Sequence, residues 1–180
     1  MGAKFEIVSK YAGNGVDKLL PKRKTEYSAG YDFRVAKDIL IPPYLTELEA
    51  LPLMVRNKLI IDYNELCELT KTYNVRPTLV PTGVKCKLDP NTYLEISVRS
   101  STPLKSGIIL ANGVGIIDAD YYNNPDNEGE IFFQVINLTP FNITLKAGET
   151  IGQGIIKPYL LTEDDEASGV RTGGFGSTDG

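Results

Sequence analysis

The 180-residue chain contains no histidine. That absence removes Ser-His-Asp and Cys-His catalysis and a His-bearing zinc deaminase site, and it points to a carboxylate as the general base of any hydrolysis. Cysteine is scarce: Cys67 and Cys86 sit in unlike contexts and form no CxxC, which argues against a disulfide framework or a zinc centre. No run approaches 18 apolar residues, and "MGAKFEIVSK" lacks a secretory h-region and carries Glu6 where myristoylation requires Ser or Thr. The expectation is a soluble, intracellular, cytoplasmic protein with no membrane partner. Excess positive charge is also missing. A net charge of -4 and a pI near 5.0 exclude a nucleic-acid coat, although a few local arginines suffice for a phosphate-bearing small molecule.

What the chain has in quantity is turn residues. Eleven prolines and 17 glycines punctuate short runs rich in Val, Ile, Tyr and Phe. "KFEIV", "YDFRV", "DILI", "YLEISV", "EIFFQVIN", "FNITL" and "TIGQGIIKPYL" read as strands. "YLEISV" places Leu94, Ile96 and Val98 on one face and Tyr93, Glu95 and Ser97 on the other. Many short strands separated by turns indicate a single all-β domain, an antiparallel sandwich or jelly-roll barrel. One stretch departs from this pattern. In "DYNELCELTKTY", Leu66, Leu69 and Tyr73 recur at helical spacing, with Asp62 as N-cap, so residues 45–76 read as a helical insertion. Acidic "EDDEASG" is a linker. The expected organisation is a β domain over 1–168 and a glycine-rich arm over 169–180.

Several stretches carry chemistry. In "VRSSTPLKSG", Arg99 closes a strand and Ser100 and Ser101 add hydroxyls, a set suited to polyphosphate oxygens or to an ordinary polar turn. In "ANGVGIIDADYY", Gly113 and Gly115 let backbone approach a flat ligand, as in a hairpin holding a base. Asp118 follows Ile116 and Ile117, an environment able to hold a carboxylate as base; the alternative for Asp118 and Asp120 is a solvated turn. "AGYDF" sets Asp32 after a Gly-Tyr pair, and "AGETIGQG" puts Gln153 on a strand after a turn at Gly148. The terminus, "RTGGFGSTDG", combines four glycines with Arg171 and Phe175, and reads as a tail that is either disordered or ordered by a ligand.

In this order, "AGYDF", "RSS", "NGVGIIDADY", "AGETIGQ" and "GGFGST" resemble the five motifs of the trimeric dUTP nucleotidohydrolase (dUTPase) family, from Ala29 to Thr178 apart from the insertion. The resemblance implies a distorted jelly-roll homotrimer with active sites at subunit interfaces and a mobile C-terminal arm. It implies that Asp118 activates a water to attack the α-phosphorus of dUTP, giving dUMP and pyrophosphate, thereby limiting uracil in DNA and supplying a dTTP precursor. Tyr121 is then the tyrosine that packs on deoxyribose and excludes a 2′-hydroxyl. Asn112, Gly113, Val114 and Ile117 belong to the segment that reads uracil. Arg99, Ser100, Ser101 and Gln153 bind phosphates, and Asp32 serves Mg²⁺ through water. In the arm, Phe175 stacks on uracil, Arg171 reaches the γ-phosphate, and Gly176 and Ser177 line the phosphates.

Some positions depart from the family pattern. "RTGGF" is one residue shorter than usual between arginine and phenylalanine. Thr150 replaces a common arginine, Gly152 replaces an alanine, and "YYNNPDNEGE" exceeds the usual tight turn. A dCTP deaminase of the same fold also carries "RSS" but continues to a second arginine, where this chain has Thr102, Pro103 and Leu104. The insertion leaves room for a regulatory protein partner.

Overall fold

The computed structural model describes residues 2–13, 16–44, 68, 76–171 and 173–174. The insertion expected over 45–76 therefore lies, apart from Glu68 and Arg76, outside the described residues, as does Cys67.

Eleven strands are found among the described residues, every ladder antiparallel. They are β1 (Lys4–Ile7), β2 (Tyr31–Arg34), β3 (Ile39–Ile41), β4 (Thr78–Pro81), β5 (Val84–Lys87), β6 (Thr92–Val98), β7 (Ile108–Leu110), β8 (Gly115–Ile117), β9 (Phe132–Asn137), β10 (Ile143–Leu145) and β11 (Thr150–Pro158). A four-stranded sheet runs β2-β11-β6-β8 and a three-stranded sheet β4-β9-β7; the pairs β1-β5 and β10-β3 complete the layers. The all-β expectation holds. Every expected strand is present, and β4, β5, β7 and β8 are additional, being runs of three or four residues too short for periodicity to declare.

The core lies between the sheets. On β6 the expected alternation is realised: Leu94 and Ile96 are buried, while Tyr93, Glu95 and Ser97 occupy the opposite, more open face. Phe33 of β2 meets Phe133 of β9 with ring centroids 5.7 Å apart, and Phe5 of β1 stands edge-on to Phe33 at 5.5 Å. Each such ring or branched aliphatic contributes about 1.5–3 kcal/mol by leaving water. Gly152 follows from this packing: a Cβ there would lie 2.2 Å from the Phe133 ring and 2.5 Å from Ser97 O. The alanine common at this position in the family has no room in this chain.

The "RSSTPLKSG" segment is more ordered than a turn. Residues Ser101–Ser106 form helix α1, with Ser100 at the N-cap and Gly107 beyond the end at φ 64°. Pro103 sits in the first turn, where a missing N–H costs no hydrogen bond, and Gly107 donates its N–H to Pro103 O at 3.0 Å. Arg99, Ser100 and Ser101 thus lie at a rigid strand-to-helix junction.

Candidate active site

The four-stranded sheet carries both groups of candidate residues. At the β2 edge, Asp32 is the register partner of Gln153 on β11, and Gln153 of Ser97 on β6, so the three side chains form a row on one face. Asp32 is mostly covered and stands between two cations: Arg99 Nε lies 3.5 Å from Oδ1 and Lys24 Nζ 3.3 Å from Oδ2. A Cβ on Gly30 would meet Gln153 Oε1 at 2.6 Å, so this glycine lets the glutamine amide lie against the backbone before β2. Thr150 faces Arg34 across the β11-β2 ladder, so a guanidinium stands beside the position where the family often has one. Arg34 is committed to the turn, its Nη1 donating to Gly148 O at 2.7 Å.

At the other edge lies the segment expected to be a hairpin; it instead connects β7, in the three-stranded sheet, to β8, in the four-stranded one. Gly113 adopts φ 72°, which favours glycine, and Gly115 packs so closely that a Cβ would lie 2.6 Å from Ile96. Asn112, Gly113 and Val114 are exposed at its tip, above a cavity of about 150 Å³ whose wall includes Gln134 and Phe132. Strand β8 ends at Ile117, and Asp118 begins a 3-10 turn, Ala119–Tyr121, with Tyr121 N–H donating to Asp118 O. The isoleucines before Asp118 do not cover it. Ile116 points to the open face at 51% exposure and the Asp118 side chain is half exposed. The alternation of β8, with Gly115 facing inward, sends Ile116 outward.

Tyr121 is buried and held at its hydroxyl from two sides. Asn127 Nδ2 donates to it at 2.7 Å, and it donates to Glu130 O at 3.2 Å. Burial is the main cause that pushes its pKa up. The Arg171 guanidinium lies 5.9 Å over this ring and pairs with Asp118 and Asp120. A cavity of about 140 Å³ between Ile117, Asp118, Tyr121, Arg171 and Gly174 results. Arg171, expected on a γ-phosphate, is here against the two carboxylates. Phe175, Gly176 and Ser177 lie outside the described residues.

The structure thus gathers Asn112, Gly113, Val114, Ile117, Asp118, Tyr121 and Arg171 at one edge, and Asp32, Arg99 and Gln153 at the other, with Ser100 and Ser101 following Arg99. Three inter-strand steps separate β2 from β8, about 14 Å at the usual strand spacing. Register adds about 13 Å along the strands, since Asp118 follows the partner of Leu94 while Asp32 aligns with Ser97. Sequence reasoning missed Lys24 and Asn127. Their signals were the basic run "PKRK" just before "AGYDF" and the over-long segment after Tyr121.

An antiparallel β scaffold with a carboxylate beside a cavity at one sheet edge and cations at the other is suited to a phosphate-bearing ligand. A dUTPase family model matches residues 66–179. The deoxyuridine 5'-triphosphate nucleotidohydrolase of Lactococcus lactis is 38% identical over 97% of this chain and 95% of its own. That of Caldanaerobacter subterraneus is 32% identical over 79% of this chain and 90% of its own. Among solved structures, dUTPase from Streptococcus mutans is 37% identical, with a TM-score of 0.67 over 88% of this chain and 98% of that one. The chain belongs to the dUTPase family, whose activity is dUTP hydrolysis.

Proposed function

We propose that the chain hydrolyses dUTP to dUMP and pyrophosphate, with Asp118 activating the water that attacks the α-phosphorus. The observation that carries this is the convergence of the Asp118 carboxylate, the fixed Tyr121 ring and the end of β8 at Ile116 and Ile117 around one cavity in a protein without imidazole. Asp118 takes the proton from water as the new P–O bond forms, and pyrophosphate leaves as the bridging bond breaks. Tyr121, unable to shift because both hydrogen-bonding capacities of its hydroxyl are used, leaves no space beside the sugar for a 2′-hydroxyl. The hairpin backbone reads the uracil edge, where a base with other donors and acceptors leaves buried groups unpaired.

The site is completed by a further copy of the chain, in the homotrimer that the family resemblance implies. The α-phosphorus is two P–O–P bridges from the γ-phosphorus, a much shorter span than the separation of Asp118 from Asp32 within one chain. Arg99, Ser100, Ser101 and Gln153 of another copy therefore hold the phosphates whose α-phosphorus Asp118 addresses. Residues 169–180 form the arm that closes over nucleotide, and Arg171 exchanges its carboxylates for phosphate as it does so.

The family implies Mg²⁺. Among the described residues no cluster of three or more acidic or cysteine side chains could cage a metal. Asp32 fits a smaller part, because buried Oδ2 has no hydrogen-bond donor and Lys24 lies near it only at ion-pair distance. Asp32 would hold the ion through water, with phosphates supplying the remaining oxygens. When bound, Mg²⁺ neutralises phosphate charge.

Hydrolysis of dUTP in ¹⁸O-water tests the mechanism. Label in dUMP is the expected result. Label in pyrophosphate would place the attack elsewhere and remove the role given to Asp118.

A further inference from the structure

A second feature of the β2 edge lies outside the five motifs. Lys18, Lys22, Arg23, Lys24 and Arg34 line a cavity of about 440 Å³, facing the single carboxylate of Asp32. The chain as a whole is negative, at -4. Gathering five cations in such a protein is unfavourable by mutual repulsion unless an anion joins them, and a cleft of one sign concentrates the opposite charge.

The cations are not used up by the fold. Arg23 Nη1 donates to Glu26 O and Ser28 O at 2.8 and 3.0 Å, which leaves its other donors. Arg34 spends Nη1 on Gly148 O. Lys24 shares Asp32 with Arg99. Lys18 and Lys22 are exposed and their ammonium groups have no hydrogen bond or ion pair among the described residues; only the Lys22 backbone is engaged, its carbonyl accepting from Asp32 N–H at 3.0 Å.

The lining also selects among anions. Among the described residues that line it, Leu20 is the one large apolar side chain and none is aromatic, so these residues offer no stacking surface to a nucleobase. A compact, highly charged inorganic phosphate suits it better than a second nucleotide. Position narrows the choice further. Asp32 is shared, with Oδ1 toward Arg99 and Oδ2 toward Lys24, so the cavity adjoins the phosphate-binding row. An anion released from Arg99 and Gln153 thus meets this cavity next.

We propose that the cavity is a binding site for pyrophosphate, the leaving group of dUTP hydrolysis, distinct from the subsite built by Arg99, Ser100, Ser101 and Gln153. The proposal rests on the dUTPase reading for the identity of its ligand. Arg23, Arg34 and the three lysines supply charge-assisted donors, and the occupied cavity retains product beside the site, so that accumulated pyrophosphate slows turnover.

The test is calorimetric titration of pyrophosphate into the intact protein already saturated with a non-hydrolysable dUTP analogue and Mg²⁺. Heat of binding is expected with the catalytic site filled. The Lys18→Gln/Lys22→Gln double variant, altered only at exposed positions, should weaken it about tenfold or more, as loss of two charged donors implies, with KM for dUTP unchanged. A Lys22→Glu variant should weaken it further. No binding to the saturated protein, or equal binding by the variants, overturns the proposal. A parallel rise in KM for dUTP also overturns it, by making the cavity part of the substrate subsite. Loss of second-site binding of the analogue itself, with pyrophosphate unaffected, assigns the cavity to a nucleotide and overturns it too. Because titration needs no turnover, absence of dUTP hydrolysis alongside intact pyrophosphate binding refutes the enzymatic reading and upholds the cavity.

Discussion

The Arg171 guanidinium joins the arm to the catalytic edge through Asp118: Nη2 donates to Oδ2 at 2.5 Å, while Nε donates to Asp120 Oδ1 at 2.8 Å. The side chain that the family resemblance sends to phosphate thus has two carboxylate partners within its own chain. Under the proposed function, substrate binding exchanges one charge-assisted contact for another. The favourable exchange is with a triphosphate, which offers a guanidinium more charge than two half-exposed carboxylates do.

Asp118→Asn removes the base while keeping shape and hydrogen-bonding capacity. It should reduce turnover by about 10²–10⁴-fold, the usual worth of general-base assistance, with unchanged circular dichroism and melting temperature. Pyrophosphate release measured under saturating dUTP reads the effect. Activity within a few-fold of the parent would deny Asp118 its role.

Removal of the chain from Arg171 onward should abolish most catalysis and leave the barrel folded, because among the described residues no strand extends past Pro158. The melting temperature should fall by little, since exposed ion pairs contribute only about 0–1 kcal/mol. A large drop in melting temperature would show instead that the arm is part of the folded domain.

The Asn127 amide should matter to sugar discrimination, although it lies in a loop no motif covers. Asn127→Ala deprives the buried Tyr121 hydroxyl of its 2.7 Å partner, and Tyr121→Ala deletes the ring. Both variants should raise the UTP-to-dUTP ratio of kcat/KM, Tyr121→Ala more. If neither changes that ratio, the ring is not what excludes ribose.

Much of this was legible beforehand, for reasons visible in particular residues. Strand β6 declared itself because one face is core and the other is open, so period two survives in Leu94, Ile96 and Val98. Strands β7 and β8 did not, being three residues long with a glycine-bearing connection between them. The exposure of Ile116 could not be read from its type, since only the inward turn of Gly115 against Ile96 decides which isoleucine faces out. The motifs named the candidate residues, but the distance between Asp118 and Asp32 is a property of sheet order, which local sequence does not contain.

Gly152→Ala tests the packing that displaces the family's alanine. The added methyl would sit 2.2 Å from the Phe133 ring and 2.5 Å from backbone of β6, and backbone cannot rotate away. Overpacking of this kind costs about 1–3 kcal/mol. Urea denaturation should show a lower midpoint at unchanged slope, and a companion Phe133→Leu change should restore part of the loss. A neutral Gly152→Ala would mean that the β11-β6 spacing yields easily.

Cys86 supplies the last prediction. It lies in the core at 2% exposure, and burial pushes its thiol from 9.0 up to about 12. Thiolate is the reactive form, so iodoacetamide at pH 8 should leave Cys86 unlabelled in the folded protein and modify it in urea, as peptide mass mapping will show. The same shift couples to stability. Below pH 9 both folded and unfolded chains hold the proton; between 9 and 12 only the folded chain does, so its stability falls as pH rises through that window. Cys86→Val removes the titrating group and should remove that part of the alkaline loss. Equal alkaline loss in parent and variant, or labelling of the folded protein at the unfolded rate, would show that solvent reaches this thiol.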